Sequence, residues 1–164
     1  TMKNKTRVDG LKGKLGAFKD AQTKLAPPEH CDLLEGAESF FDVITASRAA
    51  SMWNDVDLAR AVNLANIQYM LNDEMQQLAV EGMITMGGRN GDTEVENPRV
   101  RVVGNLQRLE ISLSKALQTD AASTVGRSRD NVPKNKAAKE AREELDAVNS
   151  NPILASMMPG ANVN

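Results

Sequence analysis

Few residues in this chain are of a type that could do covalent or metal chemistry. His30 and Cys31 are the single histidine and the single cysteine among 164 residues. A Cys–His pair can serve as nucleophile and base, but neighbours in sequence rarely point at each other, and no third group is placed to orient the imidazole. One cysteine cannot form an intrachain disulfide. One His with one Cys cannot complete a conventional zinc site within a chain. Gly10, Gly13 and Gly16 stand among lysines, yet they lack the Gly-Lys-Ser/Thr ending and the preceding apolar strand of a phosphate loop. No carboxylates cluster at a spacing suited to a nuclease metal. These observations argue against an enzyme, and no catalytic residue, metal site or cofactor is assigned.

What remains is charge. The net charge of −2 conceals a segregation. Residues 1–25 carry seven cations and two anions, residues 26–97 three cations and thirteen anions, and residues 98–164 ten cations and seven anions. The candidate contacts to a polyanion are Lys3, Lys5, Arg7, Lys12, Lys14 and Lys19 at one end. Arg127, Arg129, Lys134, Lys136 and Lys139 are those at the other. Basic ends on an acidic middle suit arms that meet a nucleic acid, and they equally suit ordinary solvated tails.

The elements that must position these cations are helical. Aromatic residues make up only 3% of the chain, so its core is aliphatic and Met-rich, which favours helices over a sheet sandwich. The chain is long enough for one domain with a modest core. Residues 1–26 read as a flexible basic arm with a short helix over 16–25. Pro27-Pro28 marks a boundary. A helix is expected over 33–50, with Leu34, Ala37, Phe41 and Ile44 on one face, Phe40 widening it, and Trp53 packing back on its end.

A long helix follows over 56–82. Asn54 or Asp55 is its N-cap, Asp57 lies in its first turn, and Gly82 ends it. It bears two apolar stripes. Leu58, Val62, Ala65 and Tyr69 form one, and Leu64, Ile67, Leu71, Met75 and Leu78 form the other. A surface helix needs one stripe. Two stripes imply neighbours on two sides, either a second subunit beside the chain's own hairpin partner, or a central place in a monomeric bundle. Leu58, Val62, Leu64, Ile67, Leu71, Met75 and Leu78 are the candidate oligomerisation residues, with the contact placed on the side away from the next helix.

Strands at 83–86 and 93–96 flank the Gly-rich turn that contains Asn90-Gly91, giving a β-hairpin over 83–96. Asn97-Pro98 opens a helix over 98–118 with an apolar stripe of Val102, Leu106, Leu109, Leu113 and Leu117. Gly104 in its interior marks a close crossing or is simply tolerated. Residues 127–164 form a charged segment with a short helix over 134–148. They end in an apolar tail, Ile153, Leu154, Met157 and Met158, suited to docking on a partner or on the chain itself. The fold class is therefore all-α with one short β-hairpin. It comprises a long antiparallel helical hairpin plus shorter helices, with organisation 1–26, 27–126 and 127–164. No apolar run approaches the roughly 18 residues of a membrane span, and no secretory segment is evident. A soluble, intracellular protein is expected. Thr1 ahead of Met2 reads as an added residue, so the natural ends are expected to differ slightly.

The stretch FFDVITASRAASMWNDVDLARAVNLANIQ resembles the core of small terminase subunits of tailed bacteriophages. An acidic, aromatic helix ends near Trp53, and Asp57-Leu58 opens a long helix. Gly82 closes that helix, a short ribbon follows, Asn97-Pro98 enters the next helix, and Ser128-Arg129 lies in the polar segment beyond. The resemblance covers residues 27–130. It implies an all-α subunit that closes into a ring-shaped homo-oligomer of about nine copies. It also implies binding of viral double-stranded DNA near the packaging start, in the host cell cytoplasm. That DNA would be delivered to a large terminase subunit holding the ATPase and nuclease. Ile153, Leu154, Met157 and Met158 are the candidate docking residues for the large subunit. Some relatives carry an N-terminal helix-turn-helix. Residues 1–26 are too short and too rich in Gly and Lys for one, which directs the expectation to phosphate contacts. The competing readings are a coiled-coil scaffold or adaptor without a DNA role, and a dimeric DNA-binding regulator.

Overall fold

The computed structural model describes residues 10–87, 93–119 and 132–150. In chain order the elements are α1 (Leu11–Gln22), α2 (Glu38–Ala46), a 3₁₀ turn (Ala50–Met52), α3 (Asp55–Glu81), β1 (Ile84–Gly87), β2 (Thr93–Glu96), α4 (Pro98–Leu117) and α5 (Val132–Asn149). They fall into two compact units. The first comprises residues 1–26, 46–53 and 124–164; the second comprises 27–45 and 54–123.

The second unit is organised by α3, whose 27 residues make a rod of roughly 40 Å. Asn54 caps it by accepting the Asp57 N–H at 2.8 Å, and Asp55 and Asp57 complement the dipole in the first turn. At the far end Gly82 has φ +84°, a conformation that glycine adopts without steric cost, and donates its N–H to the Leu78 carbonyl at 2.8 Å. The chain then forms the ribbon, with β1 antiparallel to β2 and Ile84 opposite Glu96. The turn containing Asn90-Gly91 lies outside the described residues. Asn97 caps α4 by accepting the Arg99 N–H at 3.0 Å, with Pro98 as its first residue.

The ribbon returns α4 antiparallel along α3, and polar contacts fix their register. Arg99 pairs with Glu74 at 2.7 Å and with Glu81 at 3.0 Å. Farther along, Gln68 Nε2 donates to Glu110 at 3.1 Å. Along the packed faces of α3 and α4 the residues repeat at spacings of three and four. On α3 the seam is Leu64, Ile67, Leu71, Glu74, Leu78 and Glu81; on α4 it is Arg99, Val103, Leu106, Glu110, Leu113 and Leu117. This spacing is that of a heptad repeat. The expected α4 stripe is corrected by one position. Val103, not Val102, is buried, while Val102 and Leu109 are exposed. A Cβ on Gly104 would meet nothing within 4 Å, so this glycine marks no close crossing among the described residues.

The other side of α3 is covered by residues 32–45. The Leu34 N–H donates to Asn66 Oδ1, and Asn66 Nδ2 donates to the Asp32 carbonyl, both at 2.9 Å. Gly36, at φ +94°, lies against the Tyr69 ring, and a Cβ there would stand 2.8 Å from Tyr69 Cε2. Phe41, Ile44, Val62, Leu64 and Ala65 are buried. The helix expected over 33–50 is shorter, because Gly36 holds a non-helical conformation before it. After it the chain makes a 3₁₀ turn at Ala50–Met52.

Candidate nucleic-acid interface

In the first unit, α1 and α5 pack together and hold residues 46–53. The helix in the basic N-terminal segment starts earlier than expected, at Leu11, with Gly10 as N-cap. Its small residues explain the packing. Gly13, Ala17 and Ala21 recur every four residues and are half-buried. Across from them, Ala137 and Ala141 of α5 line the same clefts as Gly13, Gly16 and Ala17. Small side chains on both faces let the two helices approach closely. Of the larger apolar residues of α1, Leu11 and Leu15 are well exposed, while Phe18 lines a cleft with Ala137 and Ala141.

Residues 46–53 are gripped from both helices. Asp20 of α1 accepts the Ser51 N–H at 3.1 Å and the Ser51 hydroxyl at 2.9 Å. Asn135 of α5 accepts the Ala49 N–H at 3.2 Å. The Arg142 guanidinium donates to the carbonyls of Ala46 and Arg48. The Arg48 guanidinium stacks 4.5 Å from the centroid of Trp53, a cation–π contact. Asp20, Asn135 and Arg142 are thus positioning residues that sequence reasoning missed. Arg142 sits among Glu140, Glu143 and Glu144, where a surface ion pair is the ordinary expectation.

This packing joins two basic stretches that lie more than a hundred residues apart. Lys12 of α1 and Lys134 of α5 line one cleft. Lys14 and Lys136 line a neighbouring one of about 600 Å³, together with Phe18, Glu140 and Glu144. Lys136 pairs with Glu140 at 3.7 Å and Lys139 with Glu143 at 3.8 Å. Exposed pairs of this kind are weak and exchange readily for phosphate. Lys19 is exposed at the last turn of α1. Lys3, Lys5, Arg7, Arg127 and Arg129 lie outside the described residues, as do Ile153, Leu154, Met157 and Met158. Charge follows the division into units. Among the described residues the first unit carries nine cations and five anions, and the second carries five and thirteen.

The candidate oligomerisation residues separate into two groups. Leu58, Val62 and Leu64 are at most 9% exposed within the single chain, so they are core of the subunit itself. Ile67, Leu71 and Leu78 are half-buried along the α4 seam, and Met75 is 48% exposed. Both apolar stripes of α3 thus make contacts within the same chain, the first largely buried and the second only in part. Met75 of the second stripe remains open to solvent.

Among the described residues no helix is long and apolar enough to cross a membrane, and no group of three or more His, Cys, Asp or Glu is arranged to hold a metal ion. Residues 2–157 match the model of the Hendrixvirinae small terminase family. The chain is also 31% identical, over 137 residues, to the protein described as terminase, small subunit, of Enterobacteria phage HK97. That alignment covers 83% of this chain and 84% of the relative. The chain belongs to the Hendrixvirinae small terminase family.

Proposed function

We infer that this chain is the DNA-recognising subunit of a phage packaging machine. As a ring-shaped homo-oligomer, of about nine copies by the family pattern, it holds viral double-stranded DNA in the host cytoplasm. It then hands the DNA to the large terminase subunit, which supplies ATPase and nuclease. It acts without catalytic groups of its own. Beyond family membership, the observation that carries this reading is the union of Lys12, Lys14, Lys134 and Lys136 on one unit. Each cation contributes little alone. Repetition around an oligomer lets many weak contacts hold one duplex through high effective concentration. Lysines on a helical surface read phosphates and position the duplex without specifying its sequence.

A mobility-shift titration of the full chain with duplex DNA at rising salt tests this reading. Affinity should fall steeply as counterions are released, and a flat response would refute it. Docking on the large subunit is assigned to Ile153, Leu154, Met157 and Met158. Truncation after Asn149 should leave assembly intact and abolish stimulation of the motor ATPase. Full stimulation by the truncated chain would remove that assignment.

A further inference from the structure

The second unit has two sides of opposite character, set by where α3 touches its neighbours. Asn66 holds the segment 32–36, whereas Gln68 contacts α4. Two residues along a helix differ by about 200° in direction, so α4 and the 32–45 segment cover opposite sides of α3.

The outward face of α4 is basic and partly apolar. Arg101, Arg108 and Lys115 recur every seven residues and lie on one line, with Val102 and Leu109 on the line beside them. The Arg101 side chain is 83% exposed, pairing with Glu96 at 3.5 Å. Val102 and Leu109 are 42% and 52% exposed. The one acid of α4, Glu110, is turned into the seam toward Gln68. On the far side of α3, residues 27–45 hold Glu29, Asp32, Glu35, Glu38 and Asp42 and no Lys or Arg. Leu34 and Val43 are exposed there, at 40% and 72%. One side offers cations beside two apolar side chains, and the other offers carboxylates beside two apolar side chains.

We propose that the α4 stripe Arg101–Val102–Arg108–Leu109–Lys115 docks on the acidic edge of a second copy of this chain, around Asp32, Leu34, Glu35 and Val43. The proposal rests on the oligomeric reading above and specifies its faces. Different surfaces on opposite sides of a unit make a heterologous, head-to-tail contact, the kind that closes into rings. Opposite charges fix register and exclude the like-facing pairing, because α4 against α4 would set cations on cations. A nucleic-acid role for the stripe is disfavoured by the thirteen anions against five cations among the described residues of this unit.

The test is charge reversal with native mass as the readout. Arg101→Glu with Arg108→Glu, and separately Asp32→Lys with Glu35→Lys, should each bring the wild-type assembly down to the single chain of 17.8 kDa. Far-ultraviolet circular dichroism should be unchanged. All four substitutions together restore complementarity and should return the assembled mass, which a merely unfolded variant could not do. Unchanged mass in both reversal variants, or no recovery in the fourfold variant, would overturn the proposal while leaving wild-type assembly standing. Unchanged mass with weakened DNA binding in the Arg101/Arg108 variant would reassign the stripe to nucleic acid. A wild-type chain that runs as a monomer would overturn both this proposal and the oligomeric reading beneath it.

Discussion

Asn97 donates through Nδ2 to the Gly82 carbonyl at 2.9 Å, so the residue that starts α4 also finishes α3. The same amide donates to Glu81 at 3.0 Å, its oxygen caps Arg99, and its own N–H donates to the Met83 carbonyl at 2.8 Å. The side chain is only 3% exposed, and all of these groups are satisfied. Asn97→Ala removes a cap and strands a carbonyl, at a cost of about 2 kcal/mol. Denaturant unfolding measures this directly, and a loss below about 0.5 kcal/mol, typical of a neutral surface site, would contradict it.

The neighbouring ion pairs give this end of the hairpin a pH dependence. The Glu81 carboxyl is held below the usual carboxylate range, chiefly by the Asn97 side chain and next by Arg99. Arg99 is raised in turn by its hydrogen bonds to Glu74 and Glu81. A carboxylate depressed by folding contributes stability above its unfolded pKa and loses that contribution as pH falls through its folded value. The Tm difference between wild type and Glu81→Gln should therefore persist at neutral pH and shrink below roughly pH 4. A difference that grows on acidification would contradict the arrangement. Both groups are substantially exposed, so the difference is small and salt-sensitive.

Gly36 joins two independent demands, a positive φ and the Tyr69 ring 2.8 Å from any added Cβ. Gly36→Ala should cost about 2 kcal/mol. Tyr69→Ala in the same chain removes the contact but not the backbone strain. The cost of the Gly36 substitution, measured on that background by thermal unfolding, should shrink without vanishing. An equal cost on both backgrounds would show that the ring is no obstacle.

Close approach of α1 to α5 depends on small residues. Ala141, 5% exposed, faces the cleft shared with Ala17 and Phe18. Ala141→Leu should overpack this contact by about 1–3 kcal/mol. It should lower DNA affinity and leave native mass unchanged, because the proposed subunit contact uses residues of the other unit. Unaltered DNA binding in a folded, assembled variant would separate the lysines from this packing.

What the sequence discloses here is local. Asn54, Gly82 and Asn97-Pro98 mark their helix ends through capping chemistry that needs no tertiary knowledge, and the long hairpin follows from them. The α4 stripe is ambiguous by one residue because Val102 and Val103 are adjacent, and only contact with α3 chooses between them. Gly10 and Gly13 among lysines look like a flexible arm, and their role as cap and seam emerges only once the alanines of α5 are opposite. The grip on residues 46–53 joins side chains separated by roughly thirty to ninety positions in sequence, Asp20 with Ser51 and Arg142 with Ala46, and no spacing rule reaches so far. The basic residues were legible as candidates; their meeting on one surface was not.

The most direct test of the DNA role compares the salt dependence of duplex binding for four chains. These are wild type, Lys12→Ala with Lys14→Ala, Lys134→Ala with Lys136→Ala, and all four substitutions together. If α1 and α5 present one phosphate-binding surface, each pair should reduce the slope of log affinity against log salt, by up to about two per subunit engaged. The fourfold variant should bind most weakly, with native mass retained throughout. Full affinity and an unchanged slope in the fourfold variant would contradict the account.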